Sequence, residues 1–149
     1  MAAEYLAQEQ TVLLDSPVLF DASTPCRKGN VYHQDGSGVF ILKGRTPNCF
    51  ATYTVEFTGN IAVPTGGTAG PIAIAIAVNG EQRPGSRSIV TPAAVDEYGN
   101  VDAVATIDVP KGCCFTMTAR YVNGNVDAAA TPAPAISVVD GKLDINRTA

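Results

Sequence analysis

Residues 72–79 read Ile-Ala-Ile-Ala-Ile-Ala-Val-Asn, a strict alternation of a large branched side chain with alanine. Successive side chains of a strand point to opposite faces, so Ile72, Ile74, Ile76 and Val78 share one face. Ala73, Ala75 and Ala77 share the other. Neither face is polar, so neither is built to meet water. The branched face fits the core of a β-sandwich. The small-residue face predicts close packing against a second surface, most simply another copy of the chain. Ala73, Ala75 and Ala77 are therefore the expected contact between copies.

The same two-residue period recurs along the chain, and no segment sustains a helical period. Over residues 49–58, Ala51, Tyr53, Val55 and Phe57 alternate with Thr52, Thr54, Glu56 and Thr58, which predicts a half-buried strand. Residues 101–109 set Val101, Ala103, Ala105, Ile107 and Val109 against a mostly polar face. Residues 113–122 place Phe115, Met117, Ala119 and Tyr121 together. Asp35-Gly36-Ser37-Gly38, Asn79-Gly80 and Pro110-Lys111-Gly112 are the turns between such runs. Further short runs at residues 11–14, 18–20, 39–42, 88–91, 136–139 and 142–147 bring the total to about nine or ten strands. At 149 residues this is one all-β antiparallel sandwich over residues 11–149. Residues 1–10 are expected to be a loose N-terminal arm.

Several functions are disfavoured by composition. The formal net charge is −4, and the ten Lys and Arg are scattered, which argues against nucleic acid as a partner. The longest apolar run, residues 71–78, is too short to span a bilayer as a helix, so no membrane insertion is expected. The N-terminus lacks the basic and apolar regions of a secretory signal. His33 is the only histidine and has no nucleophile motif beside it, so it reads as a surface or interface residue and no catalytic site is expected.

Cys26, Cys49, Cys113 and Cys114 lack metal-ligand spacing and read as buried, reduced thiols in strands. A disulfide joining Cys26 or Cys49 to the adjacent pair is the alternative. Asp96, Glu97, Asn100 and Asp102 carry oxygen ligands, but their spacing is not that of an EF-hand, and a solvated acidic loop is the favoured reading over calcium. No metal or cofactor is expected. The glycines of residues 64–71 precede no Gly-Lys-Ser/Thr, so they form an end loop and not a phosphate cradle. Thr65, Arg83, Arg87 and Tyr98 lie in polar loops and are the expected apical contacts.

The ordered pieces resemble the trimeric jelly roll of the tumour necrosis factor and complement superfamily, and most closely its bacterial and phage branch. They are Gly36-Ser37-Gly38 with residues 39–43, Tyr53-Thr54-Val55-Glu56-Phe57, residues 72–80 with Pro84-Gly85-Ser86, Ile89-Val90-Thr91-Pro92 and Ile107-Asp108-Val109-Pro110-Lys111-Gly112. The resemblance implies a homotrimer with the alanine-rich strand at or near the three-fold axis. No Gly-X-Y stalk is present. The resemblance then implies a non-catalytic accessory protein of a phage virion, a head decoration or head fiber. Such a protein is made in the host cytoplasm and displayed on the capsid surface among other virion proteins. Glu4, Tyr5 and Leu6 in the arm are its expected attachment residues. The alternative is a surface adhesion module that binds a host-surface glycan, of viral or bacterial spore or cell-surface origin.

Overall fold

Twelve strands arise where the sequence alternates, and the turns arise where it carries glycine, proline, asparagine or aspartate. The computed structural model describes residues 2–24, 30–127 and 130–148. The strands are β1 Ala2–Leu6, β2 Gln10–Leu13, β3 Ala22–Thr24, β4 Val31–His33, β5 Phe40–Lys43 and β6 Phe50–Ala62. They continue as β7 Ile72–Val78, β8 Glu81–Gln82, β9 Ser88–Val90, β10 Gly99–Pro110, β11 Cys114–Asn123 and β12 Ala135–Arg147. All pairings are antiparallel, in two six-stranded sheets. The first runs β10-β6-β12-β1-β3, with β2 also on β12; the second runs β4-β5-β11-β7-β8, with β9 also on β7. From β6 onward the chain passes back and forth between the sheets, as a jelly roll does.

The inner faces meet in one core. Val55 and Phe57 of β6, Ile107 of β10 and Leu143 of β12 face Phe40 and Leu42 of β5, Ile74 and Ile76 of β7, and Met117 and Tyr121 of β11. Burying a large side chain of this kind stabilises by about 1.5–3 kcal/mol each, which makes the alternation decisive for register: a one-residue slip would turn the whole set to solvent. The Tyr121 hydroxyl donates to the Ala133 carbonyl at 2.6 Å. Burial, with the Asp15 carboxylate nearby, pushes its pKa up to about 12.

Three expectations about the framework are corrected. Residues 2–6 are not an unpaired arm: β1 lies between β12 and β3, hydrogen-bonded on both edges, and Tyr5 is only 4% exposed. Residues 136–139 and 142–147 are one strand, β12, interrupted by a bulge between Val139 and Lys142 where Asp140 has φ 57°. Residues 18–20 form no strand; Pro17 and Phe20 make single bridges to Arg120 and Ser37. The count among the described residues is twelve, above the expected nine or ten, because β1, β3, β4 and the two-residue β8 join the sheets.

Candidate functional site

The outward face of the second sheet carries the alanines. Val122, Arg120 and Thr118 of β11 stand opposite Ala73, Ala75 and Ala77. Each of these alanines is nevertheless 0% exposed in the single protomer. Arg120 is the direct neighbour of Ala75, and its Nε donates to Thr118 Oγ1 at 3.3 Å while Nη1 reaches the Gly80 carbonyl at 3.5 Å. From the other side Arg87, just before β9, donates Nη1 to the Asn123 carbonyl at 3.0 Å. Asn123 lies across β7, opposite Ile72, so the Arg87 side chain bridges β7 at its alanine end. Methyl groups leave room for long side chains to lie flat, stems on apolar surface and charged heads at the edge. The three alanines expected to meet another copy are thus covered within the single protomer, with Arg120 beside Ala75 and Ile89, 41% exposed, beside Ala73.

The segment that carries Arg87 is pinned to β7 by Ser86, which is 2% exposed. Its Oγ accepts from the Ile76 N–H at 3.1 Å and donates to the Arg83 carbonyl at 2.7 Å.

The outward face of the first sheet is open. Register sets Glu4 of β1 opposite Asp144 of β12, and Asp144 opposite Glu56 of β6. Three carboxylates thus occupy one row across three neighbouring strands. Asp102 of β10, opposite Thr58, sits diagonally beside Glu56. Lys142 lies 3.6 Å from Asp144. A hydrogen bond shared with Asp102, the negative charge of Asp102 and partial burial hold the Glu56 carboxyl above the usual glutamate range, and Asp144 adds to this. Sequence reasoning missed this row, since residues 4, 56, 102 and 144 meet only through register.

Of the expected attachment residues, Glu4 and Leu6 point outward on this same face, while Tyr5 packs edge-on against Phe40 at 4.7 Å. The expected apical contacts do not converge. Thr65 Oγ1 donates to Asp96 Oδ2, and Tyr98, 43% exposed, lies at the same end of the sandwich. Arg87 folds back over β7, and Arg83 sits along its edge, its N–H donating to the Ile76 carbonyl. Beside residues 66–71, a groove of about 510 Å³ is completed by Asn125 and residues 131–134. The acidic loop does not close into a cation cage: Asp96 accepts from Thr65, and Asn100 donates towards Gly59 and Asn60. Among the described residues no three His, Cys, Asp or Glu side chains are placed to hold a metal.

His33, expected at the surface or an interface, is half-buried in the protomer. Its ring stacks on Phe40 at 4.2 Å and meets Tyr5 edge-on at 5.1 Å. Nε2 donates to the Ser37 carbonyl at 2.7 Å, while Nδ1 is buried without a hydrogen-bonding partner. No serine or cysteine nucleophile contacts the ring in these interactions. The thiols are corrected as well: Cys49, Cys113 and Cys114 are free and exposed, because they sit just before β6, in the β10–β11 turn and at the first residue of β11, where alternation no longer points inward. Cys26 lies outside the described residues.

Solved structures of this architecture match the chain over almost its whole length. The globular domain of zebrafish complement 1qA protein is 14% identical, with 99% of this chain and 98% of that one covered at a TM-score of 0.59. The Eiger tumour necrosis factor of S. frugiperda is 11% identical over 100% and 92%, at 0.65. Murine APRIL is 10% identical over 99% and 98%, at 0.61. This is the tumour necrosis factor and complement jelly-roll fold. No family model and no curated protein matches the chain.

Proposed function

We propose that this jelly roll is a non-catalytic, trimer-forming accessory protein of a phage virion, a head decoration or head fiber displayed on the capsid surface. The observation that carries the trimeric part is the contrast between the two outward faces. Ala73, Ala75 and Ala77 are 0% exposed, and beside them only Ile89, at 41%, offers a large exposed apolar side chain, whereas the sheet of β10, β6, β12, β1, β3 and β2 exposes Leu6 at 44%, Leu13 at 61% and Val104 at 44% among half-buried threonines. That mixed, open face is the one left for a second copy to cover. The virion role rests on the ordered resemblance of the strands and turns to the phage branch, and the jelly-roll fold supports it at the level of architecture.

Glu4 and Leu6 remain in this reading as contacts made from within a strand, not from a free arm. Two measurements test it. Sedimentation of the purified chain should give three copies per particle, and a monomer at tens of micromolar would end the trimeric reading. Peptide mass spectrometry on density-purified virions from the source culture should recover the chain in multiples of three. Its absence there, with recovery from cell or spore surfaces, favours the adhesive alternative. In that alternative Tyr98, exposed at the end of the sandwich that holds the groove, stacks on a host-surface glycan, and Tyr98→Ala abolishes binding on a glycan array.

A further inference from the structure

Three thiols meet water at one end of the sandwich. Cys49, Cys113 and Cys114 are all exposed and unpaired. Free cysteine is among the most buried residue types, so reactivity is the property that this exposure makes available. Backbone hydrogen bonds gather them. The Lys111 N–H donates to the Cys49 carbonyl and the Cys113 N–H to the Pro110 carbonyl, both at 2.9 Å. The Gly44 N–H donates to the Cys113 carbonyl at 2.8 Å, and the Gly112 N–H to the Gly44 carbonyl at 3.0 Å. Gly44 is required here, because a Cβ on it would collide with the Pro110 carbonyl. Cys114 stands opposite Lys43 in the β5–β11 ladder. The result is a shallow cavity of about 320 Å³ lined by Lys43, Gly44, Arg45, Gly112, Cys113 and Cys114. Two thiols share it with two cationic side chains, and no carboxylate lines it.

We propose that this cavity is a thiol–disulfide exchange site for an anionic low-molecular-weight disulfide of the glutathione class. Cys113 or Cys114 gives up its proton to water, and the thiolate sulfur attacks one sulfur of the incoming disulfide. A protein–ligand S–S bond forms as the original S–S bond breaks. The displaced thiolate leaves with the electron pair and is protonated from water. The protein sulfur is oxidised, the departing half is reduced, and no other oxidant takes part. Lys43 and Arg45 draw in the carboxylates of the disulfide. Cys113 and Cys114 do not relieve the adduct by joining each other. Neighbouring Cα atoms lie about 3.8 Å apart, below the roughly 4.4–6.8 Å that disulfides span. The pair therefore does not release the adduct by itself, and a further thiol, from outside or Cys49 at the same end of the sandwich, removes it. This site is independent of the trimeric reading.

The test uses the full chain with two probes, glutathione disulfide and the cationic disulfide cystamine, each referenced to the urea-unfolded chain. Intact mass and peptide mapping locate each adduct and separate Cys26 and Cys49 from the pair. The expected result is one glutathionyl adduct on Cys113 or Cys114, abolished in C113S/C114S. Folding should favour glutathione disulfide over cystamine by about tenfold, and K43E/R45E should erase that preference while the thermal unfolding curve remains cooperative. An adduct confined to Cys26 or Cys49, equal preference for the two probes, or covalent dimers of the chain in place of the adduct would each overturn the proposal.

Discussion

The two outward faces of this sandwich invert what their residues suggest. In the face built on alanine, the least polar stretch of the chain, Ala73, Ala75 and Ala77 are 0% exposed, with Arg120 beside Ala75 and Arg87 reaching across β7 to Asn123. The face that sets Glu4, Asp144 and Glu56 side by side is the open one. On the first face, register puts long cations beside short methyl groups, and both benefit: the stems gain apolar contact and the heads find carbonyls. On the second, register puts like charges directly opposite each other, an arrangement that destabilises a sheet unless protonation or a partner relieves it. What a face is made of therefore says less about its use than what its cross-strand neighbours do.

The largest effect should come from filling the alanine bed. Ala75→Leu adds a branched side chain beside Arg120 at a position that is 0% exposed, and should cost the protomer about 1–3 kcal/mol. The readout is the urea midpoint of the purified chain at several concentrations. If stability were unchanged and only the association of copies were lost, the face would be an interface after all, and the comparison above would fail.

A smaller effect should follow from loosening what holds the cover in place. Ser86→Ala removes the hydroxyl between the Ile76 N–H and the Arg83 carbonyl in a site that is 2% exposed. The Arg83 carbonyl keeps the Ser86 N–H, so only the Ile76 N–H is left unsatisfied, which should cost about 1 kcal/mol. Hydrogen exchange at the Ile76 amide should speed up, with no comparable change at β6 or β12. Uniform acceleration over both sheets would instead mean that Ser86 supports the whole sandwich and not the Arg87 segment.

Much of this architecture is legible in the chain. The period-two runs of β6, β7, β10 and β11 follow directly from alternation; burial alternates cleanly in β6 and over most of β10, while both faces of β7 are buried. Asn79-Gly80 forms the hairpin with φ 53° and 85°, as a two-residue loop of that composition requires. The short Ala-Ala-Glu-Tyr-Leu strand is not legible, because its place is decided by β12 and β3 on either side and not by its own preference. Nor is the bulge at Asp140, which joins two apparent strands into one. The candidate surfaces were least legible of all. Arg120 and Ala75 are 45 positions apart, and Glu4 and Asp144 lie near opposite ends of the chain, so only strand order and register bring each pair together. The thiols escaped for a related reason: at the ends of strands, alternation ceases to report which way a side chain points.

The smallest effect sharpens the acidic side of the comparison. Glu56 has its pKa raised above the ordinary glutamate value, chiefly through the hydrogen bond and charge of Asp102. The folded chain therefore binds this proton more tightly than the unfolded chain does. Between the ordinary value and the raised one, the folded state holds more protons, so stability falls as pH rises through that window. Above the raised value the full penalty is present; below the ordinary value it has gone. Glu56→Gln removes the charge but keeps the shape and a hydrogen-bonding group, so it should stabilise by a few tenths of a kcal/mol at neutral pH, as expected for an exposed like-charge neighbour in a sheet. The gain should shrink as pH falls through the same window and fade as salt is raised. Thermal unfolding of both proteins from pH 7 down to pH 4 measures it. A variant that is less stable than the parent at neutral pH would show that Asp102 and Asp144 cost the sheet nothing through Glu56. The row would then be a solvated surface without electrostatic tension, and the open face would have to be explained by Leu6, Leu13 and Val104 alone.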